Sequence, residues 1–317
     1  MKNKIQILLI WPVLVAAGTV RGQEKANAHP HLHTTAMPVA GQSERKDIPF
    51  ELQNGYLIVV RGSIGKLKNL SFVVDTGSSR TIVDERIARK LHLNPLGSVE
   101  QFAPGHALKM RRTIVEELSW GGRTFKVSDA LTFDFSSISR YLGKRIDVLL
   151  GLSVLCQTSF QIDYQSRKIH FGSLPRPENS VQFEPNVPIL IVESRIDSQS
   201  VKLLLDTGSD SLAVFADRLP SDGPQPLPGQ SGHDVSGPFS FTPMAARQVL
   251  LGASGLQDTK VFLIPATPKA MPYDGFFGPR VLGASKIYFD FERMRFGWDF
   301  IKGSDGQISS SQTGAAR

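Results

Sequence analysis

Phe72-Val73-Val74-Asp75-Thr76-Gly77-Ser78-Ser79 is an apolar run that ends in one carboxylate and passes at once into small residues. Unbroken Phe and Val favour a buried strand, and Asp-Thr-Gly-Ser carries the side chains and the glycine that suit a tight turn. The arrangement returns as Leu203-Leu204-Leu205-Asp206-Thr207-Gly208-Ser209, 206 − 75 = 131 positions later. One such motif in a chain of 317 residues is ordinary turn chemistry. Two, each behind an apolar strand and each followed by matching sequence, mark an internal duplication.

The downstream matches extend it. Gly121 recurs as Gly252, again at 131, whereas Asp147, Gly151, Leu155, Asp163 and Lys168 recur as Asp274, Gly278, Leu282, Asp290 and Arg295, all at 127. The repeated unit is the size of a lobe, which excludes a solenoid of short repeats. Within it, β-branched and apolar runs predict strands over 56–60, 70–74, 113–120, 124–131, 147–151, 160–164 and 168–171, with Gly121-Gly122 as a turn and a short helix over 84–91. Strands over 189–192, 201–205, 249–251, 261–264, 287–291 and 294–298 follow in the second copy. The expectation is an all-β chain of two lobes related by pseudo-twofold symmetry: an N-terminal lobe over 48–174, a connector over 175–188 and a C-terminal lobe over 189–302.

The ends differ in composition. Lys2 and Lys4 precede an apolar run over 5–18, so residues 1–22 read as a signal peptide cut before Gln23, with export to the periplasm or the extracellular space. The run is short for a membrane span and holds Pro12, so no stable span is expected after processing; an uncleaved N-terminal anchor is the alternative. Residues 23–47 and 303–317 read as flexible. His29, His31 and His33 alternate in the first of these without a carboxylate or cysteine to complete a metal site, and no metal is expected. Lys plus Arg exceeds Asp plus Glu by 36 − 29 = 7, but the excess is scattered, so a nucleic-acid partner is not expected. Cys156 is the single cysteine, has no partner for an internal disulfide, and reads as a buried structural thiol.

Two carboxylates at matching strand ends can share one proton: held close, they cannot both ionise, so one serves as base and the other as acid. With those residues in view, the chain resembles the aspartic peptidases of the pepsin and retropepsin superfamily. The resemblance rests on Asp75-Thr76-Gly77-Ser78, Asp206-Thr207-Gly208-Ser209 and the downstream Leu149-Leu150-Gly151 and Phe276-Phe277-Gly278. It implies an endopeptidase acting on polypeptide through an activated water, without cofactor, as a monomer with its site in the cleft between lobes. Asp75 and Asp206 would be the catalytic dyad. Gly77 and Gly208 would let main-chain N–H groups face the carboxylates, and the hydroxyls of Ser78 and Ser209 would donate to their outer oxygens. Thr76 and Thr207 would cross-bond beneath the dyad, and Gly151 and Gly278 would let a strand pass close behind each Asp loop.

The chain departs from the pepsin pattern in three ways. No Tyr lies between Asp75 and Tyr141 to cover the site, the lobes are short, and Asp210 stands where the first copy has Ser79. Asp210 is expected to face solvent. Gly105-His106 and Gly232-His233, in Pro/Gly-rich loops, are candidate flap turns, with ordinary loops as the plain alternative. Two further readings remain: a non-catalytic module clamping an extended peptide by strand addition, and lobes that pair between two chains as a homodimer.

Overall fold

The computed structural model describes residues 8–9, 36–38, 47–103, 106–185, 187–219, 230–234, 237–264 and 271–301. They form an all-β, retropepsin-like fold of three sheets. The first copy supplies most of a nine-stranded sheet and the second most of an eight-stranded one on the same plan. In each, the strand that ends in the motif aspartate, Leu67–Val74 or Gln199–Leu205, lies between two neighbours. One is an antiparallel partner, Leu57–Ile64 or Ile191–Ile196. The other is a short parallel strand that ends just before a glycine, Val148–Leu150 or Gly275–Phe277. Val73 pairs with Leu149 and Leu204 with Phe276, so the two offsets seen in the sequence meet in one register.

The long hairpin of each half repeats at 131 residue for residue, His106–Trp120 with Arg123–Phe133 and Gly237–Leu251 with Ser254–Ile264. Gly121 and Gly122 both take positive φ, 57° and 75°, which suits a two-residue hairpin turn. Four residues are lost between the end of this hairpin and the next motif. Phe133 to Asp147 spans 147 − 133 = 14 positions, and Ile264 to Asp274 spans 274 − 264 = 10. The first half uses that stretch for a helix, Ser136–Leu142, closed by Gly143 in the left-handed region. Its polar sequence, with only Ile138 and Leu142 buried, gives little periodicity to read. The expected helix is Glu85–Lys90, and Asp84 caps it by accepting from Arg86 N at 3.0 Å.

The third sheet joins the halves. Its order is Asn179–Gln182, Arg295–Asp299, Lys286–Asp290, Phe160–Asp163, Lys168–Phe171 and Ile48–Pro49. Phe160 of the first half pairs with Phe289 of the second, their ring centroids 5.0 Å apart. Phe296 and Trp298 stack beside them at 5.6 Å, all four rings fully buried. Aromatic contacts of this kind add about 1 kcal/mol each beyond the area they bury. The connector read as irregular over 175–188 therefore contains a strand, held by Asn179 pairing with Trp298 through to Gln182 with Arg295.

Leu8–Leu9, within the stretch read as a leader, runs parallel to His233–Asp234. The rest of that stretch, the three alternating histidines and the 303–317 tail lie outside the described residues. No helix among the described residues is long and apolar enough to cross a membrane.

Candidate active site

Each motif aspartate continues its strand by one bond. Asp75 N donates to Leu150 O at 3.1 Å and Asp206 N to Phe277 O at 3.0 Å. The chain then turns, and the two turns lock together. Thr76 N donates to Thr207 Oγ1 at 3.0 Å, and Thr207 N to Thr76 Oγ1 at 3.1 Å. Thr76 Oγ1 donates to Leu205 O at 2.9 Å, and Thr207 Oγ1 to Val74 O at 2.8 Å. Exchanging the halves maps these four bonds onto themselves. All are buried, where a hydrogen bond is least weakened by water.

This lock brings the carboxyl groups face to face. A Cβ on Gly77 would stand 2.5 Å from Asp206 Cγ and 2.6 Å from its Oδ1. Only glycine fits between them. Behind each turn, Gly151 and Gly278 meet backbone just as closely: a Cβ would lie 2.2 Å from Arg80 O and 2.4 Å from Ser209 O respectively.

Asp75 Oδ1 accepts from Gly77 N at 3.0 Å and Ser78 N at 3.2 Å, and Asp206 Oδ1 accepts from Gly208 N at 2.8 Å. The serine hydroxyls do not take the expected part. Ser78 Oγ donates to Arg80 O at 2.7 Å, and Ser209 Oγ donates to Ser211 O at 3.3 Å while accepting from Ser211 N at 3.2 Å. The main-chain N–H groups already point at the carboxylate, so the hydroxyls turn back to stitch their own loops, which would otherwise bury unpaired groups.

Both carboxyls are fully buried. Burial pushes Asp75 well above the ordinary carboxylate range, with the Asp206 charge adding to it and the backbone bonds from Gly77 and Ser78 opposing it. Burial likewise pushes Asp206 up to about 7, against the bond from Gly208. Both groups thus hold protons more tightly than free carboxyls do, and those protons belong to the pair.

Asp210 does not simply face solvent. It is half-buried, accepts from Ser211 Oγ, and its charge raises Asp206, Tyr56 and Tyr141. Asp210→Ser, which restores the residue type of the first motif, is therefore expected to move the acid limb of any pH–rate profile to lower pH. The sign follows because a nearby negative charge disfavours ionisation of Asp206; an unmoved or raised limb in a stopped-rate assay would contradict it.

Two residues of this region escaped the sequence reading. Tyr56 and Tyr273 are buried with hydroxyls unbonded among the described residues, and the Asp206 charge raises both phenols after burial does. Their one cue was a phenol placed beside apolar runs. Of the candidate flap residues, Gly105 lies outside the described residues. Ser98–Ala103 pairs antiparallel with His106–Trp120, and in the second half Gln230–Asp234 pairs antiparallel with Gly237–Leu251. Gly232 and His233 lie inside a strand, and His106 matches Gly237 at 131.

Residues 60–154 match the family model described as Aspartyl protease, which bears out the resemblance carried by the motifs. That span holds Asp75 and ends before Asp206. No curated protein matches the chain. Among solved structures, a retropepsin-like aspartic protease from Rickettsia conorii is similar at 19% identity, over 41% of this chain and 95% of that one, with a TM-score of 0.30.

Proposed function

We propose that the protein is an aspartic endopeptidase in which Asp75 and Asp206 act as one catalytic unit on a polypeptide bound between the halves. The observation that supports it most is the reciprocal threonine lock, which holds two buried carboxyls facing each other within a single chain. The ionised member takes a proton from water as its oxygen attacks the scissile carbonyl, and the protonated member gives its proton to the carbonyl oxygen. The tetrahedral diol then returns a proton to the departing amine as the C–N bond breaks, which leaves the pair again with one proton. Gly77 N, Ser78 N and Gly208 N steady the charge on the Oδ1 oxygens, and each Oδ2 remains for water and substrate.

Because both aspartates come from one chain, the reading includes a monomer, and the charged start with its apolar run supports export. The test is cleavage of a mixed peptide library by purified protein, followed by mass spectrometry, with and without a hydroxyl-bearing transition-state mimic. Cleavage that the mimic abolishes is expected. Folded protein that cleaves nothing from acid to neutral pH, or cleavage indifferent to the mimic, would overturn the reading.

A further inference from the structure

The hairpin of Ser98–Ala103 and His106–Trp120 pairs Val99 with Met110 and Gln101 with Leu108. Paired residues, and those two apart on a strand, share a face. Met110 is buried with Tyr56, Leu57 and Val73, and Val99 and Leu108 pack against the same cluster. Leu108 also packs against the equivalent cluster of the second half, which holds Ile189, Phe239 and Tyr273. That face of the hairpin thus bridges the cores flanking the two aspartates.

Gln101 sits on it, only 1% exposed, and neither Nε2 nor Oε1 is bonded among the described residues. Leaving a carboxamide unsatisfied is unfavourable for folding, and a Leu or Met there would serve the hairpin better. Buried polar groups are nearly always paired, so an unpaired one calls for a partner that arrives later. Tyr56 and Tyr273, members of the two clusters this face touches, also have buried, unpaired hydroxyls, and each aspartate has a buried, unpaired Oδ2.

We propose that Gln101 is a substrate-binding residue that holds the main chain of the bound polypeptide, with Nε2 donating to a backbone C=O and Oε1 accepting from a backbone N–H. A carboxamide carries the same donor and acceptor as a peptide unit and no charge, so it matches an extended chain whatever its side chains. The contact is independent of substrate sequence. The inference rests on the peptidase reading and deepens it.

The test uses Gln101→Met, which keeps volume and shape, and Gln101→Leu. In the free protein both should melt no lower than the parent. On a cleaved peptide, kcat/KM should fall by about 10- to 100-fold, because a buried group that recognises a peptide unit discriminates strongly when the pair is broken. The same peptide is then remade with one backbone amide at a time replaced by an ester. At one position the ester should weaken the parent but leave Gln101→Met unchanged. Variants within about twofold of the parent on every substrate, or a loss that is equal at all ester positions and accompanied by a lower Tm, would overturn the inference. A parent that binds the peptide without cleaving it, with binding weakened by Gln101→Met in calorimetry, would sink the peptidase reading and leave Gln101 its role. A parent that neither binds nor cleaves any peptide would overturn both.

Discussion

Asp75→Asn and Asp206→Asn are each expected to lower kcat for peptide cleavage by at least about 10³-fold, the upper part of what acid–base groups contribute. The double variant should be hardly slower than either single one, because the two carboxyls act on one proton and losses within a unit do not add. Asn keeps an oxygen for Gly77 N and Ser78 N, so the turn should survive. Thermal stability should report the same pair. A carboxyl raised from its ordinary 3.8 to about 7 binds its proton more tightly in the folded chain than in the unfolded one. The folded state then holds more protons across that window, so its stability is greatest below it and falls as pH rises through it. Replacing the carboxyl by Asn removes that fall. The Tm difference between Asp206→Asn and the parent should therefore grow in the variant's favour from about pH 4 to about pH 7. A parent whose Tm tracks the variant's throughout, or an Asn variant with parental turnover, would refute the shared-proton site.

Gly151→Ala and Gly278→Ala should each destabilise the fold by about 3 kcal/mol or more, since overpacking against backbone leaves no side chain free to yield. The added methyl would stand 2.2 Å from Arg80 O in one case and 2.4 Å from Ser209 O in the other, and both oxygens belong to the loops that carry the aspartates. Activity should fall further than stability, because relief of either clash moves a carboxyl relative to its partner. Gly143→Ala is the control. It has open space around it but a φ of 64°, so it should lose only about 1 kcal/mol from backbone strain and keep turnover. Urea melts of the three variants would separate the mechanisms, and a Gly151→Ala protein no weaker than Gly143→Ala would show that the Asp75 loop gives way freely.

What could be read from residue order was whatever repeats or runs unbroken. Asp75 and Asp206 stood out because each closes an apolar strand, and Val148–Leu150 and Gly275–Phe277 because a glycine follows them at the same offset. Side-chain direction was hidden. Ser78 and Ser209 had two acceptors within reach, and only folded geometry shows that the nearby carbonyl wins over the carboxylate. Asp210 reads as a polar residue after a turn, and its approach to Asp206 depends on the backbone path. Gln101 disguised its own strand, since it interrupts the apolar face begun by Val99 and makes Ser98–Ala103 look like a loop. The connector strand Asn179–Gln182 has one apolar residue, Val181, and exists because Arg295–Asp299 offers it a ladder from far along the chain.

The sheet shared by the halves sets the order of folding. Asp163 finds its partner in Lys286, 286 − 163 = 123 residues later. Closing so long a loop is entropically uphill until the last strands arrive, and contacts of this range slow folding. As the chain emerges from the ribosome, the first half holds Phe160 without Phe289 and exposes an unpaired strand edge. Completion must wait for Arg295–Asp299, almost the end of the described chain, and with it for the second half as a whole. The two copies are thus born separately but mature together, and the threonine lock closes only once the second half has been made.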